Sequence, residues 1–80
     1  MKITLLFFGI TADITQEKSI QLEIEKGLSI EKSRTLLYAK YPSLSDYKSF
    51  SVAVNTAYAN DDVVLKNDDI VALIPPVSGG

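Results

Sequence analysis

The residues Ile70-Val71-Ala72-Leu73-Ile74-Pro75-Pro76 decide the fold, because they form an apolar run with a sharp end. An apolar run of this length predicts a strand that is buried at the centre of a sheet. Neither proline can donate a backbone hydrogen bond to a neighbouring strand, so the strand is expected to end at Ile74. The last residues, Val77-Ser78-Gly79-Gly80, should therefore project from the sheet as a thin tail.

Two earlier segments predict an antiparallel hairpin. Lys2 to Phe8 alternates and then becomes fully apolar, which indicates a strand whose second half is covered on both faces, and Gly9 ends it. Ser19 to Ile24 alternates with a period of two and places its isoleucine and leucine side chains on one face. Between them, Ile10 to Lys18 mixes polar residues with a single central isoleucine and predicts a turn with one short helical turn.

The middle of the chain predicts one main helix, Ile30 to Lys40. Ser29 is its expected N-cap, because a serine hydroxyl accepts a backbone N–H of the first helical turn. Residues at helical spacing form one stripe that is expected to face the sheet. The stripe consists of Ile30, Ser33, Leu37 and Tyr41, with Leu36 beside it. Pro42 stops the helix, and Ser43 to Lys48 is expected to be a polar linker.

The second half of the chain completes the sheet. Phe50 to Val54 alternates and predicts a strand, Val63 to Leu65 predicts a short edge strand, and Lys66 to Asp69 predicts a tight turn. The order strand, strand, helix, strand, short strand, strand places one main helix on one face of a mixed sheet of four to five strands. This is the order of the β-grasp, or ubiquitin-like, fold in the α+β class. We expect residues 1–76 to form that domain and residues 77–80 to form the tail.

Composition excludes several classes of chemistry. The chain has no cysteine and no histidine, which removes disulfides, thiolate nucleophiles, imidazole bases and the usual zinc ligands. The paired acids Asp61-Asp62 and Asp68-Asp69 lack the spacing of a calcium loop, so no metal site is expected. No Ser-His-Asp set or glycine-rich phosphate loop occurs, so no activity is expected of the chain alone.

Charge and hydropathy limit the partners and the compartment. Ten acidic residues face eight basic ones, and the lysines are scattered, so nucleic acid is not an expected partner. Without a basic surface, the four tyrosines Tyr38, Tyr41, Tyr47 and Tyr58 are expected to serve packing. The apolar runs are too short to cross a bilayer and the first residues do not resemble a secretory signal, so we expect no membrane contact and a cytoplasmic location.

The tail suggests a chemistry that needs no side chain. The prolines fix the direction of exit, and glycine lacks Cβ, so a carboxylate on Gly80 could thread a channel that is too narrow for a side chain. If this cysteine-free chain handles sulfur, the sulfur must be attached elsewhere than on a thiol. The alternative is that Gly79-Gly80 is a disordered or tag-derived end.

The tail also carries a resemblance to a known family. The run from Asp69 to Gly80 closely resembles the C-terminus of the small subunit of molybdopterin synthase, also called molybdopterin converting factor subunit 1. Leu5 to Phe8 and Val52 to Asn55 resemble the first strand and the central Val-Asn strand of that family. The family often carries an Arg-Glu pair where this chain has residues 10–14, and a glycine near the position of Asp68. Aspartate tolerates the left-handed conformation, so the turn can survive that change.

The resemblance implies a sulfur carrier. Gly80 would be adenylated with ATP by a ubiquitin-activating-like adenylyltransferase and converted to a thiocarboxylate, while Gly79 lets the tail thread its channel. The tail would then enter a pocket of the large subunit of molybdopterin synthase. There, two sulfur deliveries convert cyclic pyranopterin monophosphate into the dithiolene of molybdopterin. The chain itself would bind no cofactor, and a heterotetramer of two small and two large subunits is implied.

Alternation in the last strand predicts where partners bind. If Val71 and Leu73 face the helix, the alternate residues face the other side of the sheet. An exposed Ile74 beside a reactive terminus is a candidate interface anchor. The predicted partner-binding residues are Ile74, Pro75, Pro76, Val77, Ser78 and Phe8. For Ile74 and Phe8, an ordinary covered position is the alternative.

Two other functions stay open on the sequence. The thiazole-pathway sulfur carrier shares the fold, the Gly-Gly end and the adenylation step, although its tail usually lacks the Pro-Pro-Val-Ser run and it is often shorter. A non-catalytic ubiquitin-like module would bind through its sheet face and never activate its end. Such a module would tolerate an added C-terminal residue, whereas a carrier would not.

Overall fold

A mixed sheet with one long helix on its inner face forms the body of the protein. The computed structural model describes residues 1–46 and 50–76. The elements in chain order are β1 (Lys2–Phe7), α1 (Ile10–Thr15), β2 (Ser19–Glu23), α2 (Ile30–Lys40), a 3₁₀ helix (Pro42–Asp46), β3 (Ser51–Val54), β4 (Ala57–Tyr58) and β5 (Ile70–Ile74). The range of α2 is as predicted, and β1, β2 and β3 are each one residue shorter than predicted.

The strand order is β2-β1-β5-β3-β4, which places β5 at the centre, as its apolar run predicts. β1 pairs antiparallel with β2, which confirms the predicted hairpin. β5 runs parallel to β1, with Leu5 beside Val71 and Phe7 beside Leu73, and antiparallel to β3. Because β1 and β5 are parallel, their carboxyl ends lie at the same edge of the sheet.

The core lies between the sheet and α2. Val71 and Leu73 of β5 are almost fully buried and pack in one cluster with Ile30 and Leu37 of α2. Burial of each such side chain contributes about 1.5–3 kcal/mol. Leu36, which lies beside the predicted stripe, does not join the core and is exposed.

The ends of α2 follow from its sequence. The Ser29 hydroxyl accepts the backbone N–H of Lys32, which confirms the predicted N-cap. The helix ends at Lys40 before Pro42. The polar linker predicted after it is wrong in its described part, because residues 42–46 form the 3₁₀ helix and bury Leu44 completely.

The predicted edge strand at Val63 to Leu65 is wrong. The Val63 carbonyl accepts the Ile30 N–H, and the Leu65 N–H donates to the Leu28 carbonyl, each at 2.9 Å. This segment therefore bonds to the first residue of α2 and the loop before it, and not to the sheet. The short edge strand is β4, which follows β3 through a two-residue turn.

The predicted tight turn before β5 is confirmed. The Asp69 N–H donates to the Lys66 carbonyl at 3.1 Å, and Asp68 adopts a left-handed φ of 68°. Within residues 1–46 and 50–76, no helix is long and apolar enough to span a membrane.

Candidate partner-binding surface and tail exit

The face of the sheet opposite α2 carries a shallow groove of about 340 Å³. We call it the open-face groove. It is lined by Leu6, Phe8, Ala53, Asn55, Thr56, Tyr58, Ile70, Ala72 and Ile74. None of these lining residues is charged. Apolar surface of this kind, presented without a covering element, is typical of a protein-binding site.

The depth of the groove follows from residue size and register. Leu6 lies beside Ala72, Ala72 beside Ala53, and Ala53 beside Tyr58, so these residues form one row across four strands. Two alanines in the middle of the row leave a depression between the larger side chains of Leu6 and Tyr58. The depression is therefore a consequence of the strand pairing, because residues directly opposite each other share a face of the sheet.

The predicted anchors lie at the groove. Phe8 is 49% exposed and Ile74 is partly buried. Both line the open-face groove, and neither belongs to the core cluster. Pro75 is partly buried and Pro76 is exposed immediately after β5. The predicted residues Val77, Ser78, Gly79 and Gly80 lie outside the described residues.

A hydrogen-bond network holds the far end of the groove. The Asn55 side-chain amide donates to Asp69 Oδ1 at 2.9 Å, and its carbonyl oxygen accepts the Ile70 N–H at 2.9 Å. The other Asp69 carboxylate oxygen accepts the Lys66 N–H at 2.7 Å. Asn55 thereby ties the β3–β4 turn to the first residue of β5, and fixes Thr56 beside Ile70 in the lining.

Sequence reasoning missed one prominent groove residue. Tyr58 was expected to serve packing, but its side chain is 73% exposed and lines the groove. Tyr38 and Tyr41 do pack, each edge-to-face against a phenylalanine. Tyr47 lies outside the described residues. The signal for Tyr58 was its position two residues after a turn, where a short edge strand is easily overlooked.

A larger groove, of about 570 Å³, lies on the other side of the molecule. Its lining comes from the end of β2, the following loop and α2, and includes Glu23, Glu25 and Lys32. No residue of β5 contributes to it. Because the chemistry expected of this chain is at its end, we take the smaller open-face groove beside Pro75 as the candidate site. Among the described residues, no group of His, Cys, Asp or Glu side chains is arranged to hold a metal ion.

The strand order, with α2 on one face, defines a ubiquitin-like β-grasp protein. SAMP1 from Haloferax volcanii superimposes with a TM-score of 0.88 over 100% of both chains at 20% identity, and this likeness concerns the fold. Subunit 1 in the complex of subunits 1 and 2 of the molybdopterin-converting factor from Helicobacter pylori superimposes with a TM-score of 0.72, at 26% identity over 100% of both chains.

Sequence comparison identifies the family. The ThiS family profile matches residues 5–80. The molybdopterin synthase sulfur carrier subunit of Arabidopsis thaliana is 32% identical over 100% of this chain and 84% of its own length. The chain therefore belongs to the ThiS family, and the resemblance to the sulfur carrier subunits of molybdopterin synthase is confirmed.

Proposed function

We propose that this chain is the sulfur carrier subunit of a molybdopterin synthase and that it works through Gly80, the last residue of the sequence. In this proposal, residues 1–76 are the folded domain and residues 77–80 are the tail. The observation that carries it is the uncharged open-face groove, which ends at Ile74 beside Pro75. A partner that binds the groove is thereby placed next to the start of the tail. The relatives named as molybdopterin synthase sulfur carrier subunits support the choice of pathway.

The chemistry proposed at Gly80 has two steps. A carboxylate is a poor acyl donor because its oxygen is a poor leaving group, so ATP first couples the carboxylate to AMP and releases pyrophosphate. A persulfide sulfur donor then attacks the carbonyl carbon and displaces AMP. A thiol cleaves the S–S bond of the resulting acyl disulfide, so that a disulfide leaves and the thiocarboxylate remains. A thiocarboxylate is a good sulfur nucleophile. Its sulfur would bond to cyclic pyranopterin monophosphate, and water would then cleave the C–S bond to Gly80 and regenerate the carboxylate. Two such transfers would form the dithiolene of molybdopterin.

Two partners are proposed to use the open-face groove in turn. One is a ubiquitin-activating-like adenylyltransferase, and the other is the large subunit of the synthase. The Helicobacter pylori structure, which contains subunits 1 and 2 of a molybdopterin-converting factor, supports the second partner. We propose Phe8 and Ile74 as contacts, with Pro75, Pro76, Val77 and Ser78 leading Gly79 and Gly80 into each active site. The two subunits would form a heterotetramer with two copies of each, in the cytoplasm.

Reconstitution of the pathway tests this function. The chain is mixed with the adenylyltransferase, ATP, a sulfur donor, the large subunit and cyclic pyranopterin monophosphate, and molybdopterin is measured. We expect product from the native chain and none from a chain that lacks Gly80 or carries one added alanine after it. Product from the extended chain would contradict the proposal and support a binding module. Thiocarboxylate formation without molybdopterin would instead support a thiazole-pathway carrier.

A further inference from the structure

The parallel pairing of β1 and β5 brings two chain segments together at one edge of the sheet. Phe7 lies beside Leu73 in the register. Two residues further along each strand are Gly9, at the start of the turn into α1, and Pro75, at the start of the exit from β5. The turn after β1 therefore lies against the first residue of the segment that leads to the tail.

The turn from Phe8 to Thr11 is rigid. Gly9 has a φ of 55° and a ψ of −130°, a combination that side chains other than hydrogen rarely allow. The Thr11 N–H donates to the Phe8 carbonyl at 3.1 Å and closes the turn. The fully buried Thr11 hydroxyl accepts the Phe8 N–H at 2.9 Å and donates to the Phe8 carbonyl at 2.6 Å, and the Leu73 carbonyl oxygen lies 3.5 Å away. This hydroxyl thus holds the turn closed and lies next to the end of β5.

Gly9 also lacks the space for a side chain. A Cβ placed there would lie 2.9 Å from Cγ of Pro75, which is closer than real Cβ contacts. The proline ring is closed onto its own backbone nitrogen, so its Cγ has only the small movement of ring pucker and not the freedom of the end of a long side chain. A methyl group at Gly9 would push Pro75 away from the turn. Gly27, in the turn before α2, also has a positive φ, of 80°, but a Cβ there would meet no atom within 4 Å.

We propose that packing of Pro75 against the turn Phe8–Thr11 sets the direction in which the chain leaves the sheet. Gly9 is the positioning residue, because it allows this close packing. This inference rests on the proposed carrier function. A bound partner holds the sheet face, and the active site lies at a fixed place relative to that face. An exit held in one direction delivers the terminal carboxylate to that place, and the geometry of a reacting group strongly affects its rate.

The test compares two single variants, Gly9→Ala and Gly27→Ala. Both introduce a methyl group at a positive φ, so both carry backbone strain, but only Gly9→Ala displaces Pro75. Adenylation by the activating enzyme is followed as pyrophosphate release, at a temperature where thermal melts show both variants folded. We expect kcat for Gly9→Ala to be about fivefold lower than kcat for Gly27→Ala, and the KM values of the two variants to agree within about twofold. A smaller folded fraction alone would raise the apparent KM and leave kcat unchanged.

A third variant tests whether the effect passes through the proline. Pro75→Ala removes Cγ, the atom that the added methyl group would meet. We therefore expect Gly9→Ala to lower kcat by less than about twofold when Pro75→Ala is already present. An equal effect of Gly9→Ala in both backgrounds, or equal kcat values for Gly9→Ala and Gly27→Ala, would overturn the inference and leave the carrier function intact.

A readout without any partner separates the two proposals. In the native chain, a nuclear Overhauser contact should join the Gly9 Hα protons to the Pro75 ring protons, and Gly9→Ala should weaken this Hα–ring contact whereas Gly27→Ala should keep it. Absence of the contact in the native chain would contradict the packing of Pro75 against the turn, whatever the activity of the chain. If the contact is present but the native chain is never adenylated, the carrier function fails, and the proposed role of Gly9 in delivering the terminus fails with it.

Discussion

At the scale of single residues, the tip of the β3–β4 hairpin is strained. Asn55 and Thr56 form the turn with φ values of 49° and 76°. Two-residue hairpin turns with two positive φ values favour Asn-Gly, because glycine has no Cβ to clash. Asparagine adopts this conformation readily, but a β-branched threonine there is an outlier. The strain persists because the Asn55 side chain is held by Asp69 and Ile70.

Replacing Thr56 by glycine should stabilise the protein. The left-handed conformation costs a side-chain-bearing residue about 1–2 kcal/mol, and glycine removes this cost. Glycine offsets part of the gain by about 0.5–1 kcal/mol, because its unfolded chain has more entropy to lose on folding. We therefore expect Thr56→Gly to raise the free energy of unfolding by about 0.5–1 kcal/mol, measured by chemical denaturation. Thr56→Ala keeps the Cβ and is the control, with a smaller change expected. Equal gains from both variants would show that strain at φ is not the cause.

At the scale of elements, Arg34 joins α2 to the segments beside it. Its Nε donates to Asp61 Oδ1 at 2.9 Å, and one terminal nitrogen donates to the Phe50 carbonyl at 3.2 Å. The guanidinium carbon also lies 4.6 Å from the centre of the Phe50 ring. Asp61 is half exposed, whereas Arg34 is mostly covered. The contacts with Phe50 should therefore stabilise the protein more than the ion pair does.

Two substitutions separate these contributions. Asp61→Ala removes only the ion pair and should lower the free energy of unfolding by less than about 1 kcal/mol. Arg34→Ala also removes the carbonyl bond and the stacked contact, and should cost about 2 kcal/mol. Denaturation at low and high salt measures both. The cost of Arg34→Ala should change little with salt, and a cost that disappears at high salt would assign the stabilisation to the ion pair.

The elements that sequence predicted well are those with a strong local signal. α2 has an N-cap serine and a proline just beyond its end, and its predicted range is correct. β5 has an apolar run ended by prolines. Val63 to Leu65 carries the apolar pattern of a strand, but its backbone partners are Leu28, in the loop before α2, and Ile30, the first residue of α2. The choice between those partners and the sheet depends on tertiary structure, which local pattern does not contain.

At the scale of the whole molecule, the two faces of the sheet have different roles. One face is covered by α2 and supplies the core, whereas the other carries the uncharged open-face groove. Alternation along β5 predicted that Ile70, Ala72 and Ile74 would share the uncovered face, and their place in the lining agrees. Alternation along β5 could not predict that Leu6 and Tyr58 also line the groove, because the row that joins them depends on the order of four strands.

The groove offers a matched pair of variants. Ile70 lies in the groove and Leu36 lies on α2, and the side chains are equally exposed, at 46%. Ile70→Ser and Leu36→Ser thus each remove a similar apolar surface from solvent. We expect Ile70→Ser to weaken binding to the large subunit about tenfold by calorimetry, as truncation of an interface anchor does. Leu36→Ser should leave the affinity within about twofold of native. Equal losses would place the interface elsewhere.

The central claim is that sulfur is carried on Gly80. The most direct test is the mass of the C-terminal peptide, taken from chain incubated with the activating enzyme, ATP and a sulfur donor. Oxidation of Met1 changes the intact mass by nearly the same amount as replacement of oxygen by sulfur, so the peptide mass decides. We predict one oxygen of Gly80 replaced by sulfur, and reaction of that terminus with a thiol-alkylating reagent. An unchanged Gly80 carboxylate under these conditions would contradict the carrier function.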